Sequence, residues 1–369
     1  PHYSVQNLNF STYGASLVFL DEKGKRLAPL YNYLKPVNDA LRHALFERYG
    51  GREEFCRKTA SPDLGLLLNS GIQILWLKKE RPALFAKVKH ILHFPNYLSY
   101  LFTGKIISEQ TSMGCHTFLW DFDRMQAHRW LSDEGIVFPD AVSGFHFEPI
   151  EINGKTIWVG TGIHDSSASL VPYLLNEREP FLLVSTGTWC ISMNPFNHDP
   201  LTDEELKKDC LHYLNVYGKP VKSSRFFLGH LHDVHVSRLA EFFGVDYKSY
   251  RSVSFDRDVF EKCLAQKVFF KEGIPDGYID KSVDLSAWDG FAPAYCQFIT
   301  DLTRECSKSI DLVLNEGNER KKLIVTGGFS RNQKFMKVLA MLYPGMEVVP
   351  GDIDNATALG AAMVLREKV

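Results

Sequence analysis

An aspartate at the end of an apolar strand, followed by small hydroxyl residues, is the first place in this chain where chemistry could happen: Gly162-Ile163-His164-Asp165-Ser166-Ser167-Ala168. A carboxylate at the N-terminus of a helix sits in the positive end of the helix dipole, which favours its ionised form. Such a group can take the proton of a substrate hydroxyl as that oxygen attacks phosphorus. An aspartate before Ser-Ser-Ala is equally an ordinary helix N-cap, and the residues alone leave both roles open. Two further turns follow apolar strands. Ser185-Thr186-Gly187-Thr188-Trp189 can aim N–H and O–H donors at phosphate oxygens, or simply close a β-hairpin, with Trp189 expected in the core. Val325-Thr326-Gly327-Gly328-Phe329-Ser330-Arg331-Asn332 carries a glycine pair that lets a flat ring or a phosphate approach the backbone. It lacks the GxGxxG spacing and a following acidic residue, so a dinucleotide site is poorly supported. No second histidine or carboxylate stands at ligand spacing from His164, which argues against a metal there. His230, His232 and His235 follow no HExxH pattern and are expected to be solvated or on a helix face.

The elements that must position these turns can be read from periodicity. Thr156–Val159, Phe181–Val184, Trp189–Met193, Leu323–Val325 and Met346–Val349 read as strands. Asp165–Tyr173, Asn332–Leu342 and Ala356–Leu365 read as helices, and Tyr295, Phe298, Ile299, Leu302, Cys306, Ile310 and Val313 form a helical stripe. In the first half, the alternation Leu8, Phe10, Thr12 and the run Ser16–Leu20 predict a strand pair. The pattern from Ala40 to Phe102 is helical, with one helix around Trp76 and another ending at Gly104. Residues 200–290 give no clear pattern. Strands followed by glycine turns and helices, in two halves, predict an α/β fold of two lobes with a cleft between them.

Composition narrows the function classes. The chain has 369 residues, 45% of them hydrophobic, with a formal net charge of −2 and no Lys/Arg block. Nucleic acid and acidic membrane surfaces are thus unsupported as partners. Seven scattered cysteines without a CxxC pair argue for reduced thiols in a cytosol, and the apolar run 91–102 is too short to span a bilayer.

Taken in order, the turns resemble those of the FGGY carbohydrate kinases, members of the actin/hexokinase/Hsp70-like ATPase (ribonuclease H-like) fold. The closest likeness is to kinases of deoxy-ketohexoses such as L-fuculose and L-rhamnulose. Gly-Ile-His-Asp-Ser-Ser-Ala is similar to their catalytic turn, Ser-Thr-Gly-Thr-Trp to their second phosphate loop, and Thr-Gly-Gly-Phe-Ser-Arg-Asn to their adenosine motif. Asn355-Ala356-Thr357-Ala358-Leu359-Gly360 resembles their terminal Glu-Ala-Thr-Ala-Leu-Gly helix, with Asn for Glu. Ser11 to Ser16 lies where these kinases have a sugar-contacting turn, with Ser16 in place of a frequent Asp; Ile74–Lys78 and Phe102-Thr103-Gly104 also match.

The resemblance implies ATP-dependent phosphorylation of a sugar hydroxyl with Asp165 as general base. It places Tyr13, Gly14, His164, Asp165 and Ser166 on the sugar, and Gly187, Thr188, Gly327, Gly328 and Asn332 on ATP. It further implies Mg²⁺, a cytoplasmic location, a sugar-binding lobe at 1–154 and a nucleotide-binding lobe at 155–369, and it admits a homodimer. These kinases open with an Asp-x-Gly-Thr turn, and no residue before Ser11 can form it, so the first part of that lobe is expected outside this sequence. The alternatives are a kinase-like binder without catalysis, a kinase of xylulose or ribulose, and, least supported, an NAD-dependent oxidoreductase.

Overall fold

The computed structural model describes residues 4–315 and 322–365. It comprises two compact units, the first of residues 1–177, 197–222 and 354–369, the second of 178–196 and 223–353.

In the first unit the opening strands do not form the expected pair. β1 (Asn7–Leu8), β2 (Ser11–Thr12) and β3 (Leu17–Leu20) each take a different partner. β3, buried along its whole length, pairs antiparallel with β4 (His90–His93), a strand inside the stretch that reads as all helix. α1 (Phe94–Thr103) follows β4 directly and ends at Gly104, whose φ of 66° gives the left-handed helix stop. β5 (Phe147–Ile152) and β6 (Lys155–Gly160) form an antiparallel ribbon, and β1 adds to β6 in parallel. β2 runs parallel to β7 (Ile163–His164), with His164 opposite Thr12.

These pairings move the expected boundary. β6, β7 and α2 (Asp165–Asn176) lie beyond residue 154 yet belong to the first unit, because their strand partners are β1 and β2. The terminal helix Ala356–Met363 also belongs there, sharing a core of Ile163, Ala168, Val171, Val216, Ala361 and Val364 with α2. A Cβ at Gly360 would run into the Ala168 carbonyl and stand 3.2 Å from Pro172, so this crossing needs a glycine. Asn9 ties the ends together: its Nδ2 donates to the Ala361 carbonyl at 2.8 Å and its Oδ1 accepts from Gly162 N at 3.1 Å.

In the second unit, β8 (Phe181–Thr186) and β9 (Cys190–Asn194) form the expected hairpin. The strands run in the order β10-β9-β8-β11-β12, with β10 (Pro220–Phe226, of which 223–226 fall in this unit), β11 (Lys322–Gly327) and β12 (Glu347–Pro350). β8 and β11 are parallel and in register from Phe181 opposite Lys322 to Thr186 opposite Gly327. Their two glycine turns therefore leave the sheet side by side, at the carboxyl ends where α/β sheets hold ligands.

α3 (Leu228–Phe243), α4 (Phe291–Asp311) and α5 (Gln333–Leu342) cover this sheet. The predicted stripe of α4 is buried against Leu182, Val184, Leu323 and Val325. The unpatterned stretch contains α3, which carries His230, His232 and His235; they are helix-face residues, and His232 and His235 are buried, not solvated. Both ring nitrogens of His235 are satisfied, by the Leu231 carbonyl and by Asp280 N, and burial pulls its pKa down to about 4, so it packs as a neutral side chain. All seven cysteines are free and buried, and among the described residues no helix is long and apolar enough to cross a membrane.

Candidate active site

His164 and Asp165 stand where β7 meets α2, within the first unit. His164 occupies the N-cap position and Asp165 is the first helical residue. The Asp165 Oδ1 accepts from Ser166 N at 2.6 Å and from Ser166 Oγ at 3.3 Å, and its side chain is 43% exposed. The capping role open to Asp165 in sequence is thus not the one its position takes.

His164 is held from several sides. Its N–H donates to Thr111 Oγ1 at 3.0 Å, and that hydroxyl donates to Glu109 at 2.6 Å. Ser167 Oγ spends its single proton on the Leu214 carbonyl at 2.8 Å, so in its 3.2 Å contact with His164 Nδ1 the imidazole is the donor. Burial depresses the His164 pKa, opposed in part by the Asp165 charge. In the neutral ring, Nε2 then carries a bare lone pair, 3.2 Å from Asp165 Oδ1. Two acceptors face each other, an arrangement that calls for a donor such as a hydroxyl.

Gly14 stands beside this pair, as expected: a Cβ there would press on Cys115 Sγ and lie 3.2 Å from His164 Cδ2. Tyr13 is 38% exposed and packs on Tyr33 and Phe94. Sequence reasoning missed Cys115, His116 and Tyr213, since nothing in their spacing points to His164. The rings of His116 and Tyr213 lie 6.1 and 5.6 Å from that of His164, and the buried Tyr213 hydroxyl has no partner among the described residues. Glu109 is fully buried, and desolvation lifts its pKa to about 7 despite donors from Thr111 and Ser112.

The residues assigned to ATP lie within the second unit. A cavity of about 640 Å³ is lined by Gly187, Thr188, Gly229, His232, Asp233, Tyr250, Arg251, Gly328, Phe329, Arg331, Asn332 and Lys334. Four of the five residues assigned to ATP meet there. Gly327 does not line it; its φ of 80° and its contact with Thr186 shape the turn instead. Around Gly328 an added Cβ would meet nothing within 4 Å. At Gly229 it would collide with the Gly187–Thr188 backbone, to which Gly229 N also donates at 3.1 Å. Asn332 caps α5 through Oδ1 and donates Nδ2 to Tyr295, whose hydroxyl also contacts His232. Lys334 donates to the Tyr250 carbonyl at 3.1 Å, and burial lowers its pKa. Trp189 is not in the core as expected: it is 42% exposed, stacked on Phe227, with the Arg225 guanidinium 5.1 Å over its ring. His232, Asp233, Tyr250, Arg251 and Lys334 were hidden by the unpatterned stretch or by lacking a motif.

The open backbone at Gly328 and the donors around it suit an adenine nucleotide. A resident Mg²⁺ is less well served, since it takes oxygen ligands. Among the described residues the one cluster with metal-ligand geometry is Cys115, His116 and His164, with sulfur and nitrogen donors.

Residues 178–247 match the family model of the carbohydrate kinase FGGY C-terminal domain. The chain is similar to a rhamnulokinase of Oceanobacillus iheyensis, 26% identical over 212 residues that make up 54% of this chain and 43% of that protein. It is 29% identical to a rhamnulokinase of Pectobacterium atrosepticum over 206 residues, 52% of this chain and 40% of the other. These matches thus span less than half the length of those relatives. Among solved structures, a carbohydrate kinase from Novosphingobium aromaticivorans superposes with a TM-score of 0.74 at 21% identity, covering 98% of this chain and 80% of that one. Ligand-bound xylulose kinase from Lactobacillus acidophilus superposes with a TM-score of 0.75 at 14% identity, covering 99% and 76%. At these identities the superpositions establish the shared fold.

Proposed function

We propose that the chain, similar to the FGGY carbohydrate kinases, phosphorylates a ketose hydroxyl at the expense of ATP. A deoxy-ketohexose such as L-rhamnulose or L-fuculose is the favoured acceptor, since the similar curated proteins are rhamnulokinases. The observation that carries this reading is the meeting of two sequence-distant glycine turns, at Gly187-Thr188 and at Gly328, in one cavity. A nucleotide needs such a place, where glycine backbone lets phosphate approach closely and no side chain blocks a flat base.

In this reading Asp165 accepts the proton of the acceptor hydroxyl as the oxygen attacks phosphorus. His164 Nε2, an acceptor beside that carboxylate, takes a hydrogen bond from a neighbouring sugar hydroxyl and fixes which oxygen is presented. Ser167 keeps the imidazole in that tautomer. Gly14 packs against Cys115 and His164 where no side chain would fit, and Tyr13 and Ser166 complete the sugar side. Gly187 and Thr188 cradle phosphate, while Gly328 and Asn332 face the adenosine. Mg²⁺ bound with the nucleotide would neutralise phosphate charge; no residue of this chain is assigned to hold it.

The test is a coupled assay of ADP release from full-length protein with L-rhamnulose, L-fuculose, D-xylulose and L-ribulose. Turnover with one ketose well above the rest is expected. ATP hydrolysis indifferent to all four would overturn the acceptor assignment.

A further inference from the structure

Ligand atoms of Cys115, His116 and His164 lie within 4.8 Å of one another, a cluster that the kinase reading does not use as such. Cys115 is buried and its Sγ contacts the Ser112 carbonyl; Gly14 packs over it, where any larger residue would push into the sulfur. The hydrogen bonds of His164 prepare it as a ligand. Its Nδ1–H is spent on Ser167 Oγ, itself anchored to the Leu214 carbonyl, which leaves the Nε2 lone pair free and the ring fixed. Metal-binding histidines are oriented in this way by their second nitrogen. Asp165 Oδ1 lies 3.2 Å from that Nε2 but is not one of the clustered ligand atoms.

We propose that these residues form a binding site for Zn²⁺ or an ion of similar softness, with Cys115, His116 and His164 as ligands and the fourth position open to water. Tetrahedral zinc, at ~2.3 Å from sulfur and ~2.0–2.1 Å from nitrogen, requires ligand atoms about 3.3–3.6 Å apart. The three ligand atoms, within 4.8 Å of one another, need close by only about an ångström. The mixed sulfur and nitrogen set selects zinc over Mg²⁺ or Ca²⁺. The site does not depend on the kinase reading. If both hold, the ion takes the hydroxyl's place beside Asp165, and zinc inhibits in competition with the sugar.

The test uses the chain stripped of metal with chelator. Calorimetric titration with Zn²⁺ should show one equivalent bound, and Co²⁺ in its place should give the near-ultraviolet charge-transfer band of a thiolate–cobalt bond. Cys115→Ser should abolish that band and weaken Zn²⁺ binding at least tenfold, and His116→Ala should weaken it comparably. Zinc that binds the Cys115→Ser variant as tightly as the parent overturns the proposal. So does a Co²⁺ complex of the unmutated chain with no thiolate band, a reading that needs no variant to fold.

Discussion

Gly327 and Gly328 are adjacent, yet substitution should do opposite things to them. Gly327 has a φ of 80°, and a Cβ there would run into the carbonyl of Thr186 on the neighbouring strand. An L-residue in the left-handed region costs about 1–2 kcal/mol, and forcing an atom into packed backbone about 1–3 kcal/mol more. Gly327→Ala should therefore lose about 2–5 kcal/mol, a fall in Tm of roughly 5–15 °C. Gly328 has neither constraint: its φ is not positive and a Cβ would meet nothing within 4 Å. Gly328→Val should melt within a few degrees of the parent. Its side chain would instead project into the space assigned to the nucleotide, and ATP affinity should fall at least tenfold. Thermal denaturation and calorimetric ATP titration on the three proteins separate the effects. A Gly328→Val protein that folds and binds ATP as the parent does would refute the nucleotide assignment, and a Gly327→Ala protein of parental stability would refute the packing argument.

Three further outcomes are expected. Gly360→Ala gains helix propensity of ~1 kcal/mol but drives a methyl into the Ala168 carbonyl, so urea unfolding should show a net loss of about 1–2 kcal/mol; a stabilised variant would contradict this crossing. Glu109 binds its proton more tightly folded than unfolded, its pKa raised from 4.5 to about 7 by burial. Its contribution is therefore present below pH 4.5 and lost as pH rises to about 7, by up to ~3 kcal/mol, a slope that Glu109→Gln should flatten; stability rising through that window instead would show a carboxylate at home in its hydrogen bonds. Gly229→Ala should disturb the Gly187–Thr188 turn and weaken ATP binding several-fold, and unchanged affinity would detach that turn from phosphate.

Much of the second unit could be read in the sequence because its signals are local. The Phe181–Met193 hairpin, the buried stripe of α4 and the Asn332 cap each follow from neighbours within a few residues. The first unit resisted because β1, β2 and β7 are only two residues long and the pairings run across the chain: β1 with β6, β2 with β7. Such partners leave no periodicity to count, and the boundary expected near residue 154 failed for the same reason. On the site, Asp165, His164 and the glycine turns stood out through their motifs. His232, Tyr250 and Lys334 reach the cavity from separate elements, and Cys115 and Tyr213 reach His164 only through the fold.

The central claim, that Asp165 serves as base in phosphoryl transfer to a sugar, is tested most directly by Asp165→Asn in full-length protein. Asparagine keeps the size of the side chain but cannot take the proton. Sugar phosphorylation should fall by about 10²–10⁴-fold, the usual general-base contribution, while the melting curve shifts by no more than ~1 kcal/mol. Turnover within about threefold of the parent, measured on the same preparation that gives the melting curve, would contradict the account.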